Sequence, residues 1–514
     1  MSSYEAPVSA TASTIGSNGE SVQFHFDNTY SRLPEHFYAR LNPTPVASPR
    51  LVKLNVGLAR DLGLDPEALA SEQGVEILAG SRVAEGSEPL AIAYAGHQFG
   101  QFVPSLGDGR ANLLGEVNGR DGLRHDVQLK GSGRTPFSRR GDGRAALGPV
   151  LREYLVSEAM AALGVPTSRA LAAVTTGEQV VREQVVPGAV FTRVAASHLR
   201  VGTFQYFAAK GDTEALRRLA EYAIGRHYPE AARTERPCWS LLEGVIARHA
   251  KLVAQWMLLG FIHGVMNTDN TSISGETIDY GPCAFMEAYD AARVFSSIDQ
   301  QGRYAYSNQP RAALWNLTRL AEALLPLLVQ ESGGQEAGVD SANETLAGFE
   351  PQYEAARTAG LRRKLGLVTE QEGDGALADE LLERMAANGA DFTLTFRRLC
   401  DAAVQRERAQ GVRALFADPH AYDVWEVKWR RRLEEEPAPG ERRAELMGAA
   451  NPLYIPRNHL VEAVIQAAVG QQDFEPFERL LAVVTRPYEE RPGLEAYATP
   501  ARPEECVRQT FCGT

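Results

Sequence analysis

The chain has 514 residues, 44% of them hydrophobic and 23% charged. That is roughly three domains' worth of chain, with too much apolar content for disorder. A formal charge of −12, from 53 basic and 65 acidic residues, excludes a broad cationic face for nucleic acid, though not a small basic pocket. No unbroken run of ~18 apolar residues occurs, so no membrane span is expected. The first twenty residues lack the basic start and apolar stretch of a secretion signal, which points to the cytoplasm. The five cysteines include no C-x-x-C pair, so neither a structural zinc site nor a disulfide framework is expected.

In chain order, residues 1–22 are rich in Ser, Thr, Ala and Gly and read as a flexible tail. Residues 23–212 read as strand and turn. Asn112–Val117, Asp126–Lys130, Gln179–Glu183 and Gly188–Val194 favour strands between Gly-rich turns, and one helix, Leu147–Leu163, interrupts them with apolar residues every four positions. Residues 213–490 read as mostly helical. The amphipathic helix Ser240–Leu259 runs into the polar stretch His263–Asn270, and Thr271–Gly281 reads as strand, turn, strand. Gly333–Ala342 and Gly373–Gly375 read as surface loops, and residues 491–514 as an irregular tail carrying Cys506 and Cys512. A strand-rich lobe followed by a helical one is an α+β arrangement with a cleft between.

Four features carry chemistry. Gly107-Asp108-Gly109-Arg110 precedes a strand, and Gly141-Asp142-Gly143-Arg144 repeats the pattern; glycines let backbone N–H groups approach an anion while the arginine adds a charged fork. Lys130 ends an alternating strand, and the next helix offers Glu153 or Glu158 as its partner, the device protein kinases use to aim an ammonium at phosphates. Only six of the 53 basic residues are lysines. His263–Asn270 follows the long helix in the manner of a kinase catalytic loop; Asn270 occupies the metal position, but Val265 stands where the base belongs, leaving Asp269 as the loop's carboxylate. Either the base has moved to Asp269 or ordinary phosphoryl transfer is absent. Finally, Asp279-Tyr280-Gly281 matches the kinase D-F-G signature with Tyr for Phe, so Asn270 and Asp279 offer Mg²⁺ two hard oxygen ligands.

The strings YAGHQFGQFVPSLGDGRANLLGEV (94–117), QLKGSGRTPFSRRGDGRAALGPVLREYLVSEAM (128–160) and FIHGVMNTDNTSISGETIDYGPCAF (261–285) closely resemble the selenoprotein O (SelO/YdiU) protein adenylyltransferases, over roughly residues 24–514. The resemblance implies a protein-kinase-like two-lobed fold with an enlarged helical C-terminal lobe. In it ATP lies reversed, and AMP passes to Ser, Thr or Tyr hydroxyls of proteins. It further implies ATP contacts at Gly107, Gly109, Arg110, Lys130, Asp142, Gly143, Arg193, Arg200 and Asp279, with Asp142 and Gly143 at the adenine end. Arg193 and Arg200, in FTRVAASHLRVGT (191–203), suit the distal phosphates. Asp269 would accept the proton, Asn270 and Asp279 would hold Mg²⁺ or Mn²⁺, and Glu153, with Glu158 as fallback, would position Lys130. In eukaryotic relatives selenocysteine sits third from the end, where this chain has Cys512, and the family's redox idea pairs it with a cysteine after Asp-Tyr-Gly. Tyr289–Gln301 contains none in this chain, so the resemblance leaves open whether Cys512 forms a regulatory disulfide, with Cys283 or with Cys506. Two rival functions stand beside this one: a kinase using the γ-phosphate, and a non-catalytic nucleotide-binding pseudokinase or redox sensor.

Overall fold

Strand-forming sequence in the first 200 residues assembles one large antiparallel sheet and a separate short hairpin, seen in a computed structural model that describes residues 22–511. The strand order of the large sheet is Tyr38–Arg40, Leu90–Ile92, Ala111–Asn118, Arg124–Lys130, Val185–Ala195, Arg169–Val181, Arg50–Leu54, with Ala145–Ala146 pairing alongside Val185–Ala195. The expected N-terminal tail, apart from buried Val22, and Cys512 lie outside the described residues.

The sheet is covered on both faces. On one, Leu58, Leu69, Ile77 and Leu78 of three short helices (Val56–Asp61, Pro66–Ala70, Glu72–Leu78) pack on Val127, Leu129, Val174 and Val190. On the other, the helix Leu147–Ala162 buries Leu151, Tyr154 and Leu155 against Phe191 and Ala173. The helices Asn458–Gln471 and Glu475–Val484 return to cover this helix through Val461, Val464, Phe477 and Leu480. Residues 237–433 form the main helical core, in which Trp425 and Trp429 are fully buried. The fold is α+β, as expected.

Local expectations fail where the deciding partner is remote in sequence. The three short helices of the first lobe, and Val201–Ala208 before residue 213, were not anticipated; each is too short to show a helical period. The strand expected at Gln179–Glu183 ends at Val181, and Arg182 N–H closes the turn on Gln184 O. Thr271–Gly281 does not form a hairpin. Its two arms bond outward instead: Val201 N–H to Thr271 O and Ile273 N–H to Leu199 O on one side, Thr277 N–H to Pro166 O on the other. Gly333–Ala342 is not a loop: after a two-glycine break the helix Gln335–Ala347 begins, with three Ala and two Glu among its 13 residues, and Gly338 lets it lie against Val329. At Gly373–Gly375 only Gly373 stands outside the helix that starts at Asp374.

Tyr306–Ser332 is long and apolar enough to meet the length and composition test for a membrane span, and 56% of its most apolar window is buried inside the fold. Cys238, Cys283 and Cys400 are buried, and Cys506 is exposed.

Candidate active site

Alternation on the strand Arg124–Lys130 sends Val127 and Leu129 into the core and turns Gln128 and Lys130 to the opposite face, toward a cleft. The neighbouring strand sets Arg193 directly across from Gln128, and Arg193 Nε donates to Gln128 Oε1 at 2.8 Å. Gln128 Nε2 in turn donates to Asp108 Oδ2 at 3.0 Å. From the helix below the sheet, Glu153 receives Lys130 Nζ at 2.5 Å. Glu158 is five residues further on, about 140° around a helix of 3.6 residues per turn, and faces away. It binds Arg169, Asn55 Nδ2 and the Ala170 N–H.

Asp279 is the meeting point. Its backbone is left-handed (φ 61°), a conformation in which Asp is among the tolerated non-glycine residues. Oδ1 accepts from Lys130 Nζ at 3.0 Å and Arg193 Nη1 at 2.7 Å, and Oδ2 accepts from Arg200 Nη1 at 2.7 Å. Burial alone would raise this carboxyl; the three cations outweigh burial and hold it well below the carboxylate range. Arg200, at the start of the helix Val201–Ala208, also donates to the Asp269 main-chain oxygen at 2.6 Å and stacks over Tyr94. Arg193 and Arg200 are 2% and 3% exposed, so they are not solvated surface arginines.

The loop opposite is held by a short hairpin, Gly96–Gln98 with Gln101–Val103. His97 N–H donates to Thr268 Oγ1 at 2.7 Å, Phe99 N–H to Asn267 Oδ1 at 3.0 Å, and Gln98 Nε2 to Asp269 Oδ2 at 3.1 Å. Asp269 Oδ1 is buried with no hydrogen-bond partner, and burial pushes the carboxyl up to about 6 although Gln98 and Arg200 act against it. A carboxylate poised near neutrality beside a cleft has the affinity a proton acceptor needs. Val265, at the kinase base position, is buried and apolar. Asn270 is oriented by its Nδ2 donating to Val265 O at 3.0 Å, which leaves its carbonyl oxygen as the donor for an ion.

Both Gly-Asp-Gly turns are needed sterically. A Cβ at Gly107 (φ 62°) would stand 2.2 Å from the Phe137 ring, and one at Gly143 (φ 71°) 2.1 Å from Gly133 O. Asp142 is clasped by Arg182 at 2.8 Å, which holds its carboxyl low. The cleft encloses about 960 Å³, and every candidate residue from Gly107 to Asp279, Glu158 excepted, lies on its wall. The residues not singled out from the sequence are Asp108, Gln128 and Gln98. Asp108 sits inside a turn already noted, and Gln128 shares the Lys130 face of its strand. Gln98 gave no local signal.

Among the described residues no three His, Cys, Asp or Glu side chains cluster to hold a metal by themselves. Asn270 and Asp279 fit a hard cation that takes its remaining oxygens from phosphate and water, as Mg²⁺ does.

Comparison with known proteins identifies the family. The family described as protein adenylyltransferase SelO matches residues 20–485. A Bradyrhizobium diazoefficiens protein named protein nucleotidyltransferase YdiU is 64% identical over 493 residues, covering 96% of this chain and 100% of its own. Proteins of the same name from Rhodopseudomonas palustris BisB5 and Methylorubrum populi are 63% and 64% identical, over 96% of this chain and 100% and 99% of theirs. The chain belongs to the SelO/YdiU family of nucleotidyltransferases.

Proposed function

We propose that the protein transfers AMP from ATP to Ser, Thr or Tyr hydroxyls of cytoplasmic proteins and releases pyrophosphate, on a kinase-like two-lobed framework whose nucleotide lies reversed. The observation that carries this is the convergence of Lys130, Arg193 and Arg200 on Asp279, deep in the cleft, while Asp269 is the carboxylate beside the loop. Two buried guanidiniums and an ammonium match the oxygens of a departing pyrophosphate, and charge preset in this way needs no reorganisation as the leaving group forms. The acceptor oxygen attacks the α-phosphorus, the bond from that phosphorus to the β-bridging oxygen breaks, and the hydroxyl proton passes to Asp269. Glu153 keeps Lys130 aimed, and Gln128 fixes the tilt of Arg193. Mg²⁺ or Mn²⁺, when held by Asn270 and Asp279, supplies further positive charge to the phosphates.

A γ-phosphoryl kinase would find an apolar residue, Val265, at its usual base position and would have to draw on Asp269 instead. Parallel incubations with ATP labelled on the α- or γ-phosphate separate the two chemistries. α-Label should enter protein, with the mass gain of one AMP, and Asp279→Ala should abolish it. Incorporation of γ-label alone would sink the reading. No incorporation, together with unaltered cellular function of Asp279→Ala, would leave the non-catalytic alternative.

A further inference from the structure

A second cavity of about 640 Å³ opens beside the nucleotide cleft, and the two share Phe99 and Ile298 as a common wall. Trp315 lines it. The Arg303 guanidinium lies 4.6 Å from the Trp315 ring centroid, and His97 meets that ring edge-on at 5.2 Å. Arg311 lines the same cavity. On the other side of Trp315, Arg319 pairs with Glu322 at 2.6 Å. Arg303 and Arg311 form no ion pair among the described residues, and Arg303 Nε is buried without a hydrogen-bond partner. The carboxylate on the cavity wall, Asp299, is already committed to the backbone N–H groups of Arg303 and Tyr304 at 2.9 and 2.8 Å. Ile298, at the shared rim, is 57% exposed.

Two guanidiniums not engaged in any ion pair, next to an aromatic ring and an exposed aliphatic side chain, make a receptor for a carboxylate carried on a chain with some apolar surface. The position relates this receptor to the reacting atoms. Tyr304, adjacent to Arg303, donates its hydroxyl to Asn267 at 2.7 Å, two residues before Asp269, and Phe99 follows the Gln98 that holds Asp269. We propose that this cavity is the acceptor subsite of the enzyme: it binds an Asp or Glu side chain of the protein substrate, a few residues from the modified hydroxyl, on Arg303 and Arg311. The inference rests on the AMP-transfer reading and gives it a substrate class, hydroxyls in acidic sequence.

The test uses paired fluorescein-labelled peptides, one Ser flanked by Asp and the same peptide with Asn, in two assays: anisotropy for binding and α-labelled ATP for transfer. The wild-type protein should bind the Asp peptide, and modify it, about tenfold better, the equivalent of one charge-assisted contact at ~1.4 kcal/mol. Arg303→Gln with Arg311→Gln should bring the two peptides within about twofold while KM for ATP holds. Since Arg303 is half-buried, the Arg311→Gln single variant, at an exposed position, should retain part of the loss even if the pair folds poorly. Equal treatment of the two peptides by the wild type, or a preference that survives in both variants, overturns the subsite. A binding preference with no AMP transferred to either peptide supports the subsite and removes the transfer reading instead.

Discussion

Gln98 Nε2 donates to Asp269 Oδ2 at 3.1 Å across 171 residues of sequence, and this is the bond that tempers the buried carboxyl. The same hairpin crowds the other oxygen: a Cβ on Gly96 would stand 2.7 Å from Asp269 Oδ1. If Asp269 accepts the acceptor's proton, kcat/KM must rise with pH as it ionises near 6 and level off above. Gln98→Ala removes an influence that lowers the carboxyl's proton affinity, so it should move this limb to higher pH while leaving a plateau. Asp269→Asn should lower the plateau by about 10²-fold or more and abolish the limb. A pH–rate profile on a fixed protein acceptor checks all three; a wild-type limb unmoved in Gln98→Ala would remove Asp269 as its source.

The same carboxyl bears on stability. Its folded-state proton affinity, about 6, exceeds its ordinary 3.8, so the folded state holds the proton more tightly than the unfolded one. Protonation therefore favours folding. The group costs nothing below pH ~4, its cost grows between ~4 and ~6, and it reaches a limit of about 2–3 kcal/mol above that. Asp269→Asn has no such proton to lose. Its stability relative to wild type should climb with pH across that window in metal-free buffer, whatever the constant offset of the substitution. Thermal unfolding of both proteins at pH 4, 5, 6 and 7 measures the difference; a flat difference would contradict the burial argument.

These relationships were unevenly legible. Lys130 and Glu153 could be found because strand alternation and helix spacing are local, and Asp279 and Asn270 because their motif is contiguous. The choice between Glu153 and Glu158 needed the helix's rotation against the sheet, which sets only Glu153 under Lys130. The arms of Thr271–Gly281 have the composition of a hairpin, yet their backbone partners, Leu199 and Pro166, come from elsewhere in the chain. Gln98 was invisible for the same reason. Position relative to a remote partner is a tertiary fact, and periodicity carries none of it.

Asp279 pairs with three cations at once, two of them fully buried, so its removal should be felt before any substrate is added. Asp279→Ala leaves Lys130 and Arg193 with Glu153 alone, and Arg200 with Asp108 at 4.0 Å. Uncompensated buried charge of this kind costs roughly 3–5 kcal/mol. An added anion should recover more of that loss in the variant than it contributes in the wild type, where it must compete with the Asp279 carboxylate. Melting temperatures measured with increasing inorganic pyrophosphate, without divalent metal, should therefore rise more steeply for Asp279→Ala. An equal or smaller rise would mean that the three cations are not the phosphate receptor.

Glu153 and Glu158 provide the sharpest internal contrast, since both are buried on one helix and differ in what they hold. Glu158 accepts from both Arg169 Nε and Nη2 at 2.9 and 2.8 Å, from Asn55 at 2.8 Å and from the Ala170 N–H at 2.9 Å, tying the helix to the sheet. Glu158→Gln should lower stability by about 2–4 kcal/mol, because a buried backbone N–H and two partly buried side chains lose a charged acceptor, while KM for ATP stays within about twofold. Glu153→Gln should do the reverse. Lys130 keeps Asp279 as a counter-charge, so stability falls less, but the ammonium is no longer drawn to its place under the phosphates and KM for ATP should rise about tenfold. Urea unfolding beside steady-state kinetics on the two variants distinguishes them. If both raised KM alike, the helix would be acting as a unit, and the Lys130–Glu153 pair would have no special part in binding nucleotide.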